Sequence, residues 1–187
     1  MEGREDSESG GFAAARLMDI VLLKKQLALP FRAWQCDSIM ALPDFDENDD
    51  LPPGIHRAIL PEVLTRFGSG SPQRCLVARR LERVFALVRS TGKVARFVVF
   101  GSFVTKKPNP ADVDIFMLMD DTFDVRSVEG EAGVLFDHTS AQNYEGASIF
   151  WIRRMAALGG EEAAVAHWQI KRDGTHRGIV EVVTDDS

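Results

Sequence analysis

An apolar run, Phe97–Val98–Val99–Phe100, leads straight into Gly101–Ser102. A loop holding Pro108 and Pro110 follows. Asp112–Val113–Asp114 then opens a second apolar run, Ile115 to Met119. Apolar runs of this length bounded by Gly and Pro read as buried strands. Side chains alternate along a strand, so Asp112 and Asp114 are expected on one face, about 7 Å apart at ~3.3 Å per residue. Two carboxylates so placed repel unless a cation lies between them, and Mg²⁺ (or Mn²⁺) is the natural candidate. Gly101 allows close approach of backbone to a ligand, Ser102 adds a hydroxyl, and the turn offers N–H groups to a phosphate. A phosphate cradle beside a metal pair is the equipment of phosphoryl or nucleotidyl transfer. The plainer alternative is a strand ending in a glycine turn, with two solvated aspartates opening the next.

Gly101–Ser102, nine intervening residues, then Asp112–x–Asp114 resembles the signature of the polymerase-beta-type nucleotidyltransferase superfamily, in the style of its minimal members. The phrases LPPGIH, RFGSGSPQR, FVVFGSFVT, DVDIFMLM and RGIVEVV also resemble a family of short bacterial proteins assigned to that superfamily. The resemblance implies a nucleotidyltransferase-like α/β (α+β) domain, a mixed sheet with helices packed on it. It implies transfer of a nucleoside monophosphate from an NTP, ATP among the candidates, to a protein, an RNA end or a small molecule. Asp112 and Asp114 would be catalytic and hold Mg²⁺, and Gly101, Ser102 and Lys106 would contact the phosphates. Active relatives carry a third carboxylate on the strand after the intervening helix, yet Ala147–Ile152 contains no acid. Asp137, with His138 and Gln142 as polar neighbours, is the preferred substitute and Glu181 the other. Without either, a catalytically silent nucleotide-binding module is the alternative; an interaction protein of toxin–antitoxin type is another.

The 187 residues suit one domain with an appended arm, residues 1–40 before a domain at 41–187. The net charge of −6 argues against a nucleic-acid binder that uses its whole surface, while leaving room for a local basic patch. Cys36 and Cys75 lack metal-ligand spacing and read as buried thiols of a reducing cytoplasm. No apolar run reaches membrane-spanning length, and MEGREDSESGG is the wrong start for a secretory signal. Walker, dinucleotide-binding and G-x-S-x-G motifs are absent from the sequence.

Along the chain, residues 1–11 read as disordered, and Phe12 to Leu27 as a helix-compatible stripe. Asp44, Asp46 and Asn48 imitate the opening of a calcium loop, but Asp49 and Ile55 stand where Gly and Glu are needed, so a solvated acidic loop is expected. Pro61 to Phe67 suggests a short helix stopped by Gly68. Ser71–Pro72 caps a longer helix whose apolar face is Val77, Leu81, Val84, Phe85 and Val88. Its other face, Arg74, Arg79, Arg80, Arg83 and Arg89, reads as solvated or as a docking face. Lys106 and Lys107 are either phosphate contacts or surface lysines. Val125 to Gln142 suggests a helix, Ala147 to Ile152 a strand, and Arg153 to His167 a further helix. WQIKRDGTHRGIVEVV reads as a hairpin about Asp173–Gly174. No platform of aromatic and basic residues for stacking a base stands out in the linear order.

Overall fold

The computed structural model describes residues 42–184. The N-terminal arm, its expected helix and Cys36 lie outside those residues. The architecture is α+β, a five-stranded mixed sheet with helices on its faces. Strands β1 (Ile55–Ile59), β2 (Val94–Phe100), β3 (Val113–Met119), β4 (Ala147–Arg153) and β5 (Ile179–Val183) stand in the order β1–β5–β2–β3–β4. The two apolar runs pair antiparallel, from Val94 opposite Met119 to Phe100 opposite Asp114. This register carries the Gly-Ser turn to the start of β3. Strand β4 runs parallel to β3, with Asp114 opposite Ser148 and Phe116 opposite Phe150. Strand β5 fills the gap between β1 and β2, setting Glu181 opposite both Arg57 and Val98.

Alternation along the strands divides the apolar residues between two faces. One face, with Phe97, Val99, Ile115, Met117, Ile149 and Val180, packs against the helices α1 (Leu60–Phe67) and α2 (Pro72–Ser90). Val77, Leu81, Val84 and Val88 of α2 are fully buried there, and Phe85 meets Phe97 edge to face at 5.0 Å. Each such side chain contributes about 1.5–3 kcal/mol by leaving water. Ser71 accepts from the Arg74 amide and begins α2, as its hydroxyl and the following proline predict. On the second face Val98, Phe100, Phe116, Leu118 and Ile179 are covered by Val165 and Trp168.

Several segments differ from the sequence expectation. The helix expected over Val125–Gln142 is broken into a 3-10 turn at Val125–Ser127, a single-turn α3 (Glu131–Val134) and α4 (His138–Glu145). Gly130 sits at φ +66°, and Asp137 adopts extended dihedrals to cap a new helix. The helix expected over Arg153–His167 contracts to a 3-10 turn and α5 (Glu161–Ala166), separated by Gly159 and Gly160 at φ +86° and +91°. The terminal hairpin is reduced to one bridge, Ile170 to His176, because β5 spends its hydrogen bonds on β1 and β2. Cys75 is an exposed free thiol on α2, not a buried one. The arginine face of α2 is not simply solvated: Arg83 pairs with Glu131 and Glu145. Arg74 is buried at 7% exposure.

Candidate functional site

The β2–β3 register builds the site from the backbone outward. Phe100 ends β2, and Gly101 turns the chain with φ +79° directly over the Asp114 side chain. A Cβ at Gly101 would stand 1.8 Å from Asp114 Oδ2, a distance no side chain tolerates, so only glycine fits beside this carboxylate. The residues after the turn are held by Arg74. Its Nη1 donates to the carbonyls of Phe67 at 2.8 Å and Phe103 at 3.1 Å, and its Nη2 to those of Thr105 and of Lys107 at 2.7 Å. One buried guanidinium at the start of α2 thus gathers the end of α1 and the loop after the Gly-Ser turn; burial lowers its pKa.

Asp112 precedes β3, and its Oδ2 accepts from Ser148 Oγ at 2.9 Å, across from Asp114 on β4. Asp114 titrates at about 6, raised first by burial and then by the charge of Asp112. Arg177, Arg172 and Lys107 pull it the other way without reversing the shift. Two aspartates and a hydroxyl form an all-oxygen donor set suited to a hard cation that keeps positions for water and phosphate. The raised Asp114 and the glycine cradle beside it fit such a cation. Among the described residues, no group of three or more His, Cys, Asp and Glu side chains gathers as a metal site.

Asp114 opens into a cleft of about 690 Å³ whose wall also takes in Phe100, Gly101, Ser102, Phe150 and Trp168. Its rim is basic, with Lys107, Lys171, Arg172 and Arg177. Lys171 is tied to Asp50 at 3.0 Å, whereas Lys107, Arg172 and Arg177 form no ion pair among the described residues. Arg177 Nε is buried without a hydrogen-bond partner among the described residues. Trp168 lies over Phe100, Phe116 and Phe150, ring centroids 4.5, 5.1 and 4.9 Å apart and planes tilted by 31–39°.

Gly101, Ser102, Asp112 and Asp114 are therefore brought together as the sequence predicts. Three other expectations are corrected. Lys106 turns away to Asp49 at 3.1 Å, over the Phe45 ring, and Lys107 takes its place at the cleft. Asp137 does not reach the pair. Its carboxylate accepts from the Ser140 amide as the cap of α4, held below its ordinary range by Ser140. His138 beside it bonds the Ile149 carbonyl. Glu181 does join the sheet beside β2, one row from Phe100, but Arg96 clasps it through 2.6 and 2.8 Å bonds and Arg57 adds a third at 3.2 Å. The acidic loop 44–50 is a turn closed by Asp46 on the amides of Asn48 and Asp50.

Residues 43–183 match the family described as a family of unknown function, DUF6932. The chain belongs to this family. No curated protein and no solved structure matches it. The matched span contains every residue of the cleft, the basic and aromatic ones of 168–177 included. Those were missed from sequence because WQIKRDGTHR lies more than fifty residues from the Gly-Ser turn. Its Trp, Lys and Arg residues were the available signal, and only the insertion of β5 beside β2 brings them to Asp114.

Proposed function

We propose that the cleft binds an NTP with Mg²⁺ (or Mn²⁺) and that the protein transfers its nucleotidyl group to an acceptor. The observation that carries this is the juxtaposition, at one end of the β2–β3 pair, of Asp114 on Gly101, three cations with no ion pair among the described residues, and an aromatic wall. Asp112 and Asp114 would hold the metal, which when bound offsets phosphate charge and orients the attacked phosphorus. The chain's own groups do the rest. Ser102 Oγ, which makes no hydrogen bond among the described residues, and the turn amides face the phosphates. Arg74 keeps that turn in place, and Ser148 fixes the Asp112 carboxylate. The likeness of the Gly-Ser and Asp-x-Asp pattern to nucleotidyltransferases supports the same reading. Among the described residues no helix is long and apolar enough to cross a membrane. An enzyme fed by NTP belongs in the cytoplasm.

A second reading, nucleotide binding without transfer, is favoured by Ser148. It stands opposite Asp114 on β4, the strand on which the resemblance calls for a carboxylate and none is present. Calorimetry of Mg²⁺ with ATP, GTP, CTP and UTP, on wild type and on Asp112→Ala/Asp114→Ala, tests the shared premise. Metal-dependent binding that vanishes in the double variant supports it; no binding by folded protein overturns it. Pyrophosphate release from the bound NTP then separates transfer from silent binding.

A further inference from the structure

The chain is acidic overall, with a net charge of −6, yet one wall of its cleft gathers Lys107, Arg172 and Arg177, which form no ion pair among the described residues although Asp114 and Asp173 also line the cleft. Cations held at a cleft with no ion pair among the described residues make a local positive field that can draw in an anion. Arg177 is the most telling. Its backbone amide is fixed to the Gln169 carbonyl at 2.9 Å, which seats the residue at the base of the 170–176 loop. Its Nε is buried and lacks an acceptor among the described residues, a costly state for a donor unless a ligand supplies the oxygen. Among the described residues Asp114 forms no ion pair with this guanidinium.

The aromatic wall lies at a defined step from this cluster. Asp114 and Ser148 form one row of the β3–β4 register, and Phe116 and Phe150 form the next row on the same face, about 7 Å along the strands at ~3.3 Å per residue. Phe150 is 38% exposed, and Trp168 lies beside it in the cleft wall. An exposed ring beside a partly buried one, bordered by cations, suits a planar π-system carrying a negative tail.

We infer that the cleft is bipartite. Phe150 and Trp168 form a shelf for the base, and Arg177, with Arg172 and Lys107, forms a polyphosphate clamp from the terminal loop rather than from the Gly-Ser turn alone. This rests on the nucleotide reading above and adds how the ligand lies and what the site counts: phosphates by the arginines, a ring by the shelf. A ligand with three phosphates engages both halves; a monophosphate engages mainly the shelf.

The test is calorimetry in Mg²⁺ with ATP, AMP and inorganic tripolyphosphate. Wild type is compared with Arg177→Gln and Phe150→Leu, and thermal melts show that each variant is folded. Arg177→Gln is expected to weaken ATP and tripolyphosphate about 10- to 100-fold, the worth of a lost charged hydrogen bond, with AMP changed far less. Phe150→Leu is expected to weaken ATP and AMP by a similar factor and to spare tripolyphosphate. Arg172→Gln supplies the clamp measurement should Arg177→Gln fail to fold. Wild type that binds ATP while the clamp variant binds it equally well, or loses AMP in the same proportion, overturns the bipartite cleft and leaves the nucleotide reading standing. Wild type that binds tripolyphosphate but no nucleotide overturns the nucleotide reading and the shelf together. Binding of none of the three overturns both proposals.

Discussion

Two acids lie on the same face of the sheet, one row apart, and the protein treats them oppositely. Glu181 on β5 is 6% exposed and receives two bonds from Arg96 and one from Arg57. Burial pushes its carboxyl up, and the Arg96 and Arg57 bonds and charges more than reverse this, holding it below its ordinary range. Asp114 on β3 is pressed against Gly101 beside a second acid, and its nearby cations leave it raised to about 6. The bidentate Arg96 clasp fixes the geometry of β2 against β5. The uncompensated Asp114 does the reverse: it costs stability in the metal-free protein and creates a demand for positive charge at the cleft. A raised carboxyl beside a second acid in a cleft is the arrangement the proposed metal site calls for.

Breaking the satisfied acid should have the largest effect. Arg96→Met leaves Glu181 buried with only the exposed Arg57, and is expected to cost about 3–5 kcal/mol in urea unfolding. The paired change Arg96→Met/Glu181→Leu should recover most of that loss, because no unpaired charge remains. A single variant as stable as wild type would mean that the clasp is ornamental. Gly101→Ala comes next. Its Cβ must displace the Asp114 carboxylate and enter the left-handed region, at about 2–4 kcal/mol, with metal-dependent nucleotide binding abolished.

Asp114→Asn sharpens the contrast by changing sign. The carboxyl titrates near 3.8 in the unfolded chain and near 6 when folded. Between those values the folded protein holds the extra proton, so its stability falls as pH rises from about 4 to 6 and stays lower above. Asparagine carries no such proton. The variant should therefore equal wild type near pH 3.5 and exceed it by about 3 kcal/mol at pH 8, while binding no metal-nucleotide. Glu181 behaves in the opposite way: its stabilisation is present above its unfolded value and is lost as pH falls through its lowered folded one. Urea melts across pH, on wild type and Asp114→Asn, read the first effect as a difference.

What was legible in the sequence was whatever depends on local pattern. The Gly-Ser turn, the Asp pair, the cap at Ser71 and the apolar stripe of α2 are each written within a few residues and each formed as read. Where side chains reach across the fold, the sequence was silent. Arg74 looks like one more arginine on a charged helix face, yet it binds four carbonyls, three of them more than twenty-five residues ahead. Lys106 and Lys107 are adjacent, and loop geometry alone sends one to Asp49 and the other to the cleft. Asp137 attracted attention by its polar neighbours, but capping is the cheaper use of an aspartate at an extended position before a helix. The aromatic wall could not be foreseen because Phe100, Phe150 and Trp168 come from three separated segments.

Ser148→Ala is the smallest change and the one that divides the two functional readings most finely. Ser148 Oγ holds Asp112 Oδ2 at 2.9 Å, and removing it should cost about 1 kcal/mol of stability, the net worth of one such bond. If the hydroxyl serves only to orient Asp112, nucleotide affinity at saturating Mg²⁺ should stay within about threefold, and the loss should appear as a weaker Mg²⁺ midpoint. Ser148→Asp then makes the decisive contrast, since β4, the strand on which the resemblance expects a third carboxylate, would present one opposite Asp114. A gain in Mg²⁺ affinity together with new or faster pyrophosphate release would place this chain one substitution from a fuller metal centre. Lost metal binding would show instead that the site is balanced for two acids and a hydroxyl, with a third negative charge more than the cleft's cations can offset.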